Sequence, residues 1–150
     1  MEERLDYFKI DPEAPKGLME MEKYMIKSGF DKKLYHLIKL RASQLNGCAY
    51  CLDMHTKDAM KMGDTVQRLV GLDAWREAPY YTDKERAALE WTEAVTLISQ
   101  NHISDEIYEN VRNHFSEQEL LQLTIGIVAI NGWNRLAIPF RTPAGNYEPR

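Results

Sequence analysis

Cys48, Cys51 and His55 crowd into one short stretch, Gly47-Cys48-Ala49-Tyr50-Cys51-Leu52-Asp53-Met54-His55, and the chain has only these 2 cysteines. A Cys-x-x-Cys spacing lets one sulfur be oxidised while the other closes on it as a disulfide. At 3.6 residues per helical turn, positions 48, 51 and 55 lie within about 60° of arc, so both sulfurs and the imidazole share one face. Gly47 just ahead of the pair offers a helix stop followed by a new start. A helix beginning at the motif aims unsatisfied backbone N–H groups and its positive dipole end at the first sulfur, which favours thiolate over thiol. Thiolate is the nucleophile, and His55 stands four residues past Cys51 as a base for the proton.

These residues need a scaffold, and the chain can build one. Its 150 residues fit a single domain able to bury roughly 70% of its unfolded surface. Hydrophobic content of 44%, charged content of 28% and a net charge of −4 are ordinary for a globular chain and give no basic field for nucleic acid. The opening residues lack the basic-then-apolar pattern of a secretory signal, and the run Leu120 to Ile130 is too short to span a bilayer. The expected location is therefore cytoplasmic, with no membrane contact. In a reducing compartment a lone Cys-x-x-Cys is catalytic or metal-binding more often than a staple, and so short a loop removes little unfolded-chain entropy.

Helix signals punctuate the whole chain and predict an all-α, single-domain bundle of about six to seven helices over residues 1–150. Leu18, Met21 and Met25 recur at near-helical spacing before Gly29; Asp31 caps a second helix carrying Leu34, Leu37 and Ile38, which ends at Asn46-Gly47. A third helix runs from about Cys48 to Met62, and Asp64-x-x-Gln67 opens a fourth through Trp75. Thr82-x-x-Glu85 opens a fifth, Ser104 caps a sixth, and Ser116-x-x-Glu119 opens a seventh through Leu136. Pro139 and Pro143 then predict an extended tail that packs on a neighbouring subunit. No segment alternates polarity between hairpin turns, so a sheet has little support.

The stretch His36-Leu37-Ile38-Lys39-Leu40-Arg41-Ala42-Ser43-Gln44-Leu45-Asn46-Gly47-Cys48-Ala49-Tyr50-Cys51-Leu52-Asp53-Met54-His55 resembles the core of the AhpD-like alkylhydroperoxidases, within the carboxymuconolactone decarboxylase superfamily. The likeness extends through Thr56-Lys57-Asp58-Ala59, giving a core motif at 36–59, and more loosely from about Ala14 to Gly145. It implies an all-helical fold, a homo-oligomer (dimer, trimer or hexamer) and thiol-dependent reduction of peroxides, with no metal, haem or flavin cofactor. Carried over position by position, it makes Cys51 the peroxide-attacking thiol, Cys48 the resolving thiol and His55 part of the proton relay. An external dithiol, a lipoyl-bearing protein or a thioredoxin-like donor, would return the disulfide to the dithiol. One departure bears on mechanism: the family usually has a glutamate twelve residues before the first cysteine, and here that position is His36. A second imidazole titrates near neutrality and repels His55 when both are charged, so His36 is expected to act as a substitute relay with a steeper pH dependence. Tyr50 stands where some members have a further histidine.

Rival chemistries use the same residues. Cys48, Cys51, His55 and His36 supply Cys₂His₂, the ligand count of tetrahedral zinc, although zinc cysteines usually sit on a knuckle. The lactone-acid decarboxylation that names the superfamily does not rely on the cysteine pair, and a thiol–disulfide oxidoreductase or redox-responsive oligomer would meet peroxide only slowly. His102 and His114 read as surface residues near helix ends, and Trp75, Trp91 and Trp133 as core or subunit interface. Asp58 falls on the cysteine face three residues past His55, where it could orient the imidazole ring, although a solvated carboxylate is the simpler reading, and the charged residues between Asp83 and Glu93 read as a solvated face.

Overall fold

Capping residues set the helix starts in the computed structural model, which describes residues 2–149. Helices α1 (Tyr7–Ile10), α2 (Lys16–Lys27), α3 (Lys32–Asn46), α4 (Ala49–Lys61), α5 (Val66–Gly71), α6 (Asp83–Thr96), α7 (Asp105–His114) and α8 (Glu117–Phe140) account for the regular structure, with a 3₁₀ turn at Leu72–Ala74 after α5. No strand occurs among the described residues. Asp31 accepts from the Leu34 backbone N–H, and Thr82 and Ser116 each form a reciprocal capping box with the glutamate three residues on, as their spacing predicts.

Three boundaries depart from expectation. The short α1 carries little periodicity; Asp6 nucleates it by accepting from the Phe8 and Lys9 N–H groups. The cap of α5 is Thr65, which accepts from the Arg68 N–H, whereas Asp64 is engaged by the Arg68 side chain at 2.9 Å. Helix α8 runs past Leu136 and takes Pro139 into its last turn. The N-terminal segment makes that possible: Arg4 donates its backbone N–H to the Phe140 carbonyl (2.9 Å) and its guanidinium to the Pro139 carbonyl (3.2 Å), satisfying groups a helix end leaves open.

Helices α3 and α8 cross at the centre, with α4 and α6 packed on α3 and α2 on α8. Leu37, Ile38, Leu72, Leu89, Leu123 and Ile127 are fully buried in the main core. A second, smaller cluster joins Ala42, Cys48, Cys51, Ile130 and Ala137, flanked by Tyr50 and Trp133. Close approach of α8 to its neighbours depends on Gly126, where an added Cβ would stand 2.8 Å from the Tyr35 ring. The expected solvated face of α6 fails at Glu93, which accepts from Arg41 Nε (2.8 Å), Trp75 Nε1 (2.7 Å) and Arg76 (2.8 Å) and so ties α3 to α6 and the turn after α5. Trp75 and Trp91 are buried in the core, and Trp133 lies beside the cysteines. Among the described residues no helix is long and apolar enough to cross a membrane.

Candidate active site

The turn between α3 and α4 is built to present Cys48 as a helix cap. Gly47 closes α3 in the left-handed conformation (φ 72°), a geometry that side chains with a Cβ rarely adopt. The Cys48 N–H then returns to the Ser43 carbonyl at 3.0 Å, and Cys48 itself, in extended conformation, is the N-cap of α4. Its Sγ accepts the Cys51 backbone N–H at 3.4 Å. Polar side chains from α8 lock this corner: Asn46 donates to Asn131 (3.0 Å) and Asn134 (2.8 Å), and Asn134 donates to Ser43 (3.2 Å).

Both cysteines are free thiols, with Cys48 only 1% and Cys51 3% exposed. Their surroundings separate them. The Cys51 S–H and N–H, helped by Asn134, hold the Cys48 thiol down at about 7 against the upward push of burial. Cys51, donating to its partner, buried and facing the Cys48 charge, is pushed far above the ordinary thiol range. The pair therefore ionises once, keeping one proton between two sulfurs.

One turn along α4, the histidines gather around a carboxylate. His36 (α3) and His55 (α4) lie with ring centroids 5.7 Å apart, and their Nδ1 atoms stand 3.9 and 3.8 Å from the same Asp58 Oδ2. Asp58 is not the solvated residue expected; the Tyr147 hydroxyl donates to its Oδ1 at 2.8 Å. Burial, with Lys39 and His55 nearby, lowers His36 to about 4, and burial lowers His55 too. Both imidazoles are thus neutral at pH 7, so the near-neutral titration expected of His36 does not arise, while the expected repulsion from His55 is among the causes that hold it down. Burial pushes Asp58 up, but the neighbouring His55 and the Tyr147 hydroxyl prevail and keep it ionised. Position 36 lacks the family's carboxylate, and Asp58 supplies one from α4.

Sequence reasoning missed the frame around this group. Lys39, 5% exposed within an otherwise apolar run of α3, donates to Glu22 Oε2 at 2.8 Å and lies 3.8 Å from the Tyr35 ring centroid; Tyr35 also donates to Glu22. A lysine four residues past Tyr35, on the buried side of α3, was the readable signal. The tail is extended as expected, and it runs back along α4 of its own chain, with Lys57 donating to the Gly145 and Tyr147 carbonyls and Lys61 to that of Pro149.

The structure thus brings Cys48 to Cys51 and His36 to His55, and among the described residues no hydrogen bond joins either sulfur to either imidazole. Among the described residues, the donor atoms close enough to share a cation are those of His36, His55 and Asp58, all within 4.8 Å of one another, which leaves both cysteines out of the expected Cys₂His₂ set. His102 is exposed and His114 half-buried at the end of α7, away from this group.

The chain is similar to known proteins in sequence and fold. Residues 12–94 match the carboxymuconolactone decarboxylase family. An uncharacterised protein of Bacillus subtilis (strain 168), YdfG, is 47% identical over 138 residues, 92% of this chain and 94% of its own. The crystal structure of a protein of unknown function from Agrobacterium tumefaciens, suggested to be the antioxidant defence protein AhpD, superposes with a TM-score of 0.93 at 44% identity, covering 97% of this chain and all (100%) of that one. The debrominase Bmp8 shares the fold at a TM-score of 0.81 and 18% identity, over 93% of this chain and 75% of its own. The chain belongs to the carboxymuconolactone decarboxylase family, as an AhpD-like member with the all-helical fold of that group.

Proposed function

We propose that the protein is a thiol-dependent peroxidase that reduces small organic hydroperoxides through a Cys48/Cys51 dithiol–disulfide cycle. The observation that carries this reading is the geometry at the start of α4: Cys48 is the helix cap and accepts the Cys51 backbone N–H at 3.4 Å, which favours its thiolate and keeps the second thiol one turn along as its disulfide partner. The resting charge favours Cys48, and the family resemblance assigns attack to Cys51. Both hold if the shared proton passes from Cys51 to Cys48 as substrate enters. The Cys51 thiolate then attacks the terminal peroxide oxygen, the O–O bond breaks, and the alkoxide leaves as alcohol on taking a proton from the relay. Cys48, giving its proton back to the relay, displaces hydroxide from the Cys51 sulfenic acid; that hydroxide leaves as water and a disulfide remains. Of the two protons this consumes, one is the thiol proton left on the pair and one comes from solvent through the relay; they end on the alcohol and the water, and two electrons from an external dithiol, lipoyl or thioredoxin-like, restore the pair.

His55 is the relay's base, neutral at pH 7 and backed by Asp58 to stabilise the imidazolium, with His36 completing the group. Tyr50, Trp133, Ile130 and Ala137 pack around the sulfurs, apolar surroundings that suit an alkyl acceptor rather than a charged one. The test is free-thiol titration of chelator-treated, reduced protein before and after one equivalent of an organic hydroperoxide. Rapid loss of both thiols, abolished in Cys51→Ser and slowed in His55→Ala, is the expected result. Thiols that survive peroxide but are consumed by a halogenated aromatic would sink the peroxidase reading in favour of dehalogenation, the activity named for Bmp8.

A further inference from the structure

We propose that His36, His55 and Asp58 form a binding site for one divalent transition-metal ion, separate from the cysteine pair. This goes beyond the peroxidase reading and does not depend on it.

Two observations point to a ligand independently. The first is convergence: one imidazole from α3 and one from α4 direct Nδ1 at the same carboxylate oxygen, at 3.9 and 3.8 Å. The second is a deficit. Both Nδ1 atoms are buried and have no hydrogen-bond partner, although His55 is only 6% exposed. Buried polar atoms left in this state are rare, because each forfeits its hydration without recompense. One cation between the three atoms would satisfy both nitrogens and Oδ2 together.

Chemistry and dimensions agree with this. Two imidazoles and one carboxylate suit borderline divalent ions such as zinc rather than calcium or magnesium, and they leave a fourth position open. Tetrahedral bonds of about 2.0–2.1 Å place neighbouring donor atoms roughly 3.4 Å apart, so the two nitrogen–oxygen separations need to close by about half an ångström and the imidazoles, in a group whose atoms lie within 4.8 Å of one another, by up to about 1.4 Å. Both imidazoles are neutral at pH 7, the form that binds metal. The nearby Lys39 ammonium is paired with Glu22 at 2.8 Å, which leaves the Asp58 charge to attract the cation. Tyr147, donating to the other Asp58 oxygen, holds the carboxylate in place as a supporting partner outside the ligand set. The residue that creates the site is His36, so a relative with glutamate there would present a different donor set.

The probe is Zn²⁺, titrated calorimetrically into the full-length reduced protein, into a Cys48→Ser/Cys51→Ser double variant and into His36→Gln and Asp58→Asn. Expected are one saturable equivalent in the native protein, its retention in the double-cysteine variant, and affinity about 100-fold or more weaker in each of the other two. Histidine ring resonances of the native protein give a readout that needs no variant: His36 and His55 shift at one equivalent while His102 and His114 stay. Binding that vanishes with the cysteines and survives His36→Gln, resonance changes confined to His102 or His114, or no saturable binding at all would each overturn the proposal. None of these readouts uses peroxide, so failure of the peroxidase reading leaves the metal site standing, and the reverse holds as well.

Discussion

The resting thiolate can be located by removing its hydrogen-bond donor. In Cys51→Ala the Cys48 sulfur keeps the backbone N–H of residue 51 and the helix start but loses the S–H that does most to lower its pKa. A hydrogen bond to a charged group contributes about 1.5–3 kcal/mol, and 1.36 kcal/mol corresponds to one pH unit, so the Cys48 pKa should rise by about one to two pH units. Native protein, with Cys48 near 7, carries roughly half its first sulfur as thiolate at neutral pH; the variant should carry less than about a tenth. The assay is the pH dependence of alkylation by iodoacetamide, with mass-spectrometric assignment of the labelled cysteine. The reciprocal variant, Cys48→Ala, frees Cys51 from its anionic neighbour, so the Cys51 pKa should fall from its raised position yet stay above the native Cys48 value, because burial persists. A Cys48 profile unchanged in Cys51→Ala, or a Cys48→Ala protein still alkylated with a midpoint near 7, would refute the assignment of the charge to Cys48.

Acid stability should report His36. Its folded pKa of about 4 lies below the unfolded value near 6.5, so as pH falls the unfolded chain takes the proton first. Stability present above pH 6.5 is therefore lost between about 6.5 and 4, by about 2–4 kcal/mol, and His36→Gln should flatten the urea-unfolding free energy over that window. Glu93→Ala removes the carboxylate that accepts from buried Arg41 and from Trp75, and should destabilise the fold by about 3 kcal/mol in the same assay at pH 7. Tyr147→Phe should raise the Asp58 pKa by about one to two pH units in a carboxyl ¹³C titration while leaving the alkylation profile of Cys48 in place.

Local chemistry made most of the fold legible. Asp31, Thr82, Ser104 and Ser116 announce helices because each side chain satisfies an N–H that a helix start leaves open, a short-range interaction that sequence spacing contains in full. Gly47 marks the turn for the same reason. The end of α8 was hidden because the donors that complete it come from Arg4 at the opposite end of the chain. Glu93, Lys39 and Asp58 were misread or overlooked in one way: a charge on a helix is taken for a solvated one unless its partner is known, and their partners, Arg41, Glu22 and Tyr147, are remote in sequence. The cysteine pair was visible because its chemistry is contained within one turn, whereas the partner of His55 depended on a tail that spacing alone could not bring back across α4.

Helix α4 therefore carries two candidate groups with separate foundations. At its N-terminus the sulfurs are fixed by Gly47, Ser43 and Asn134, so their electrostatics answer to the packing of α3 on α8. One turn later, Asp58 and the imidazoles answer to α2 through Glu22 and Lys39 and to the tail through Tyr147. Between the sulfurs and the imidazoles there is no direct hydrogen bond, so a proton crossing from thiol to His55 must use a water or the substrate's own oxygens. That separation has a chemical use. A buried thiolate accepting from an imidazole N–H would be tied in a charge-assisted hydrogen bond to the relay, whereas one held by the Cys51 S–H and N–H with help from Asn134 has as its strongest partner the sulfur that can take over its charge. Peroxide, bringing two oxygens into that gap, would complete the path from sulfur to imidazole, so the relay would close only when there is something to reduce.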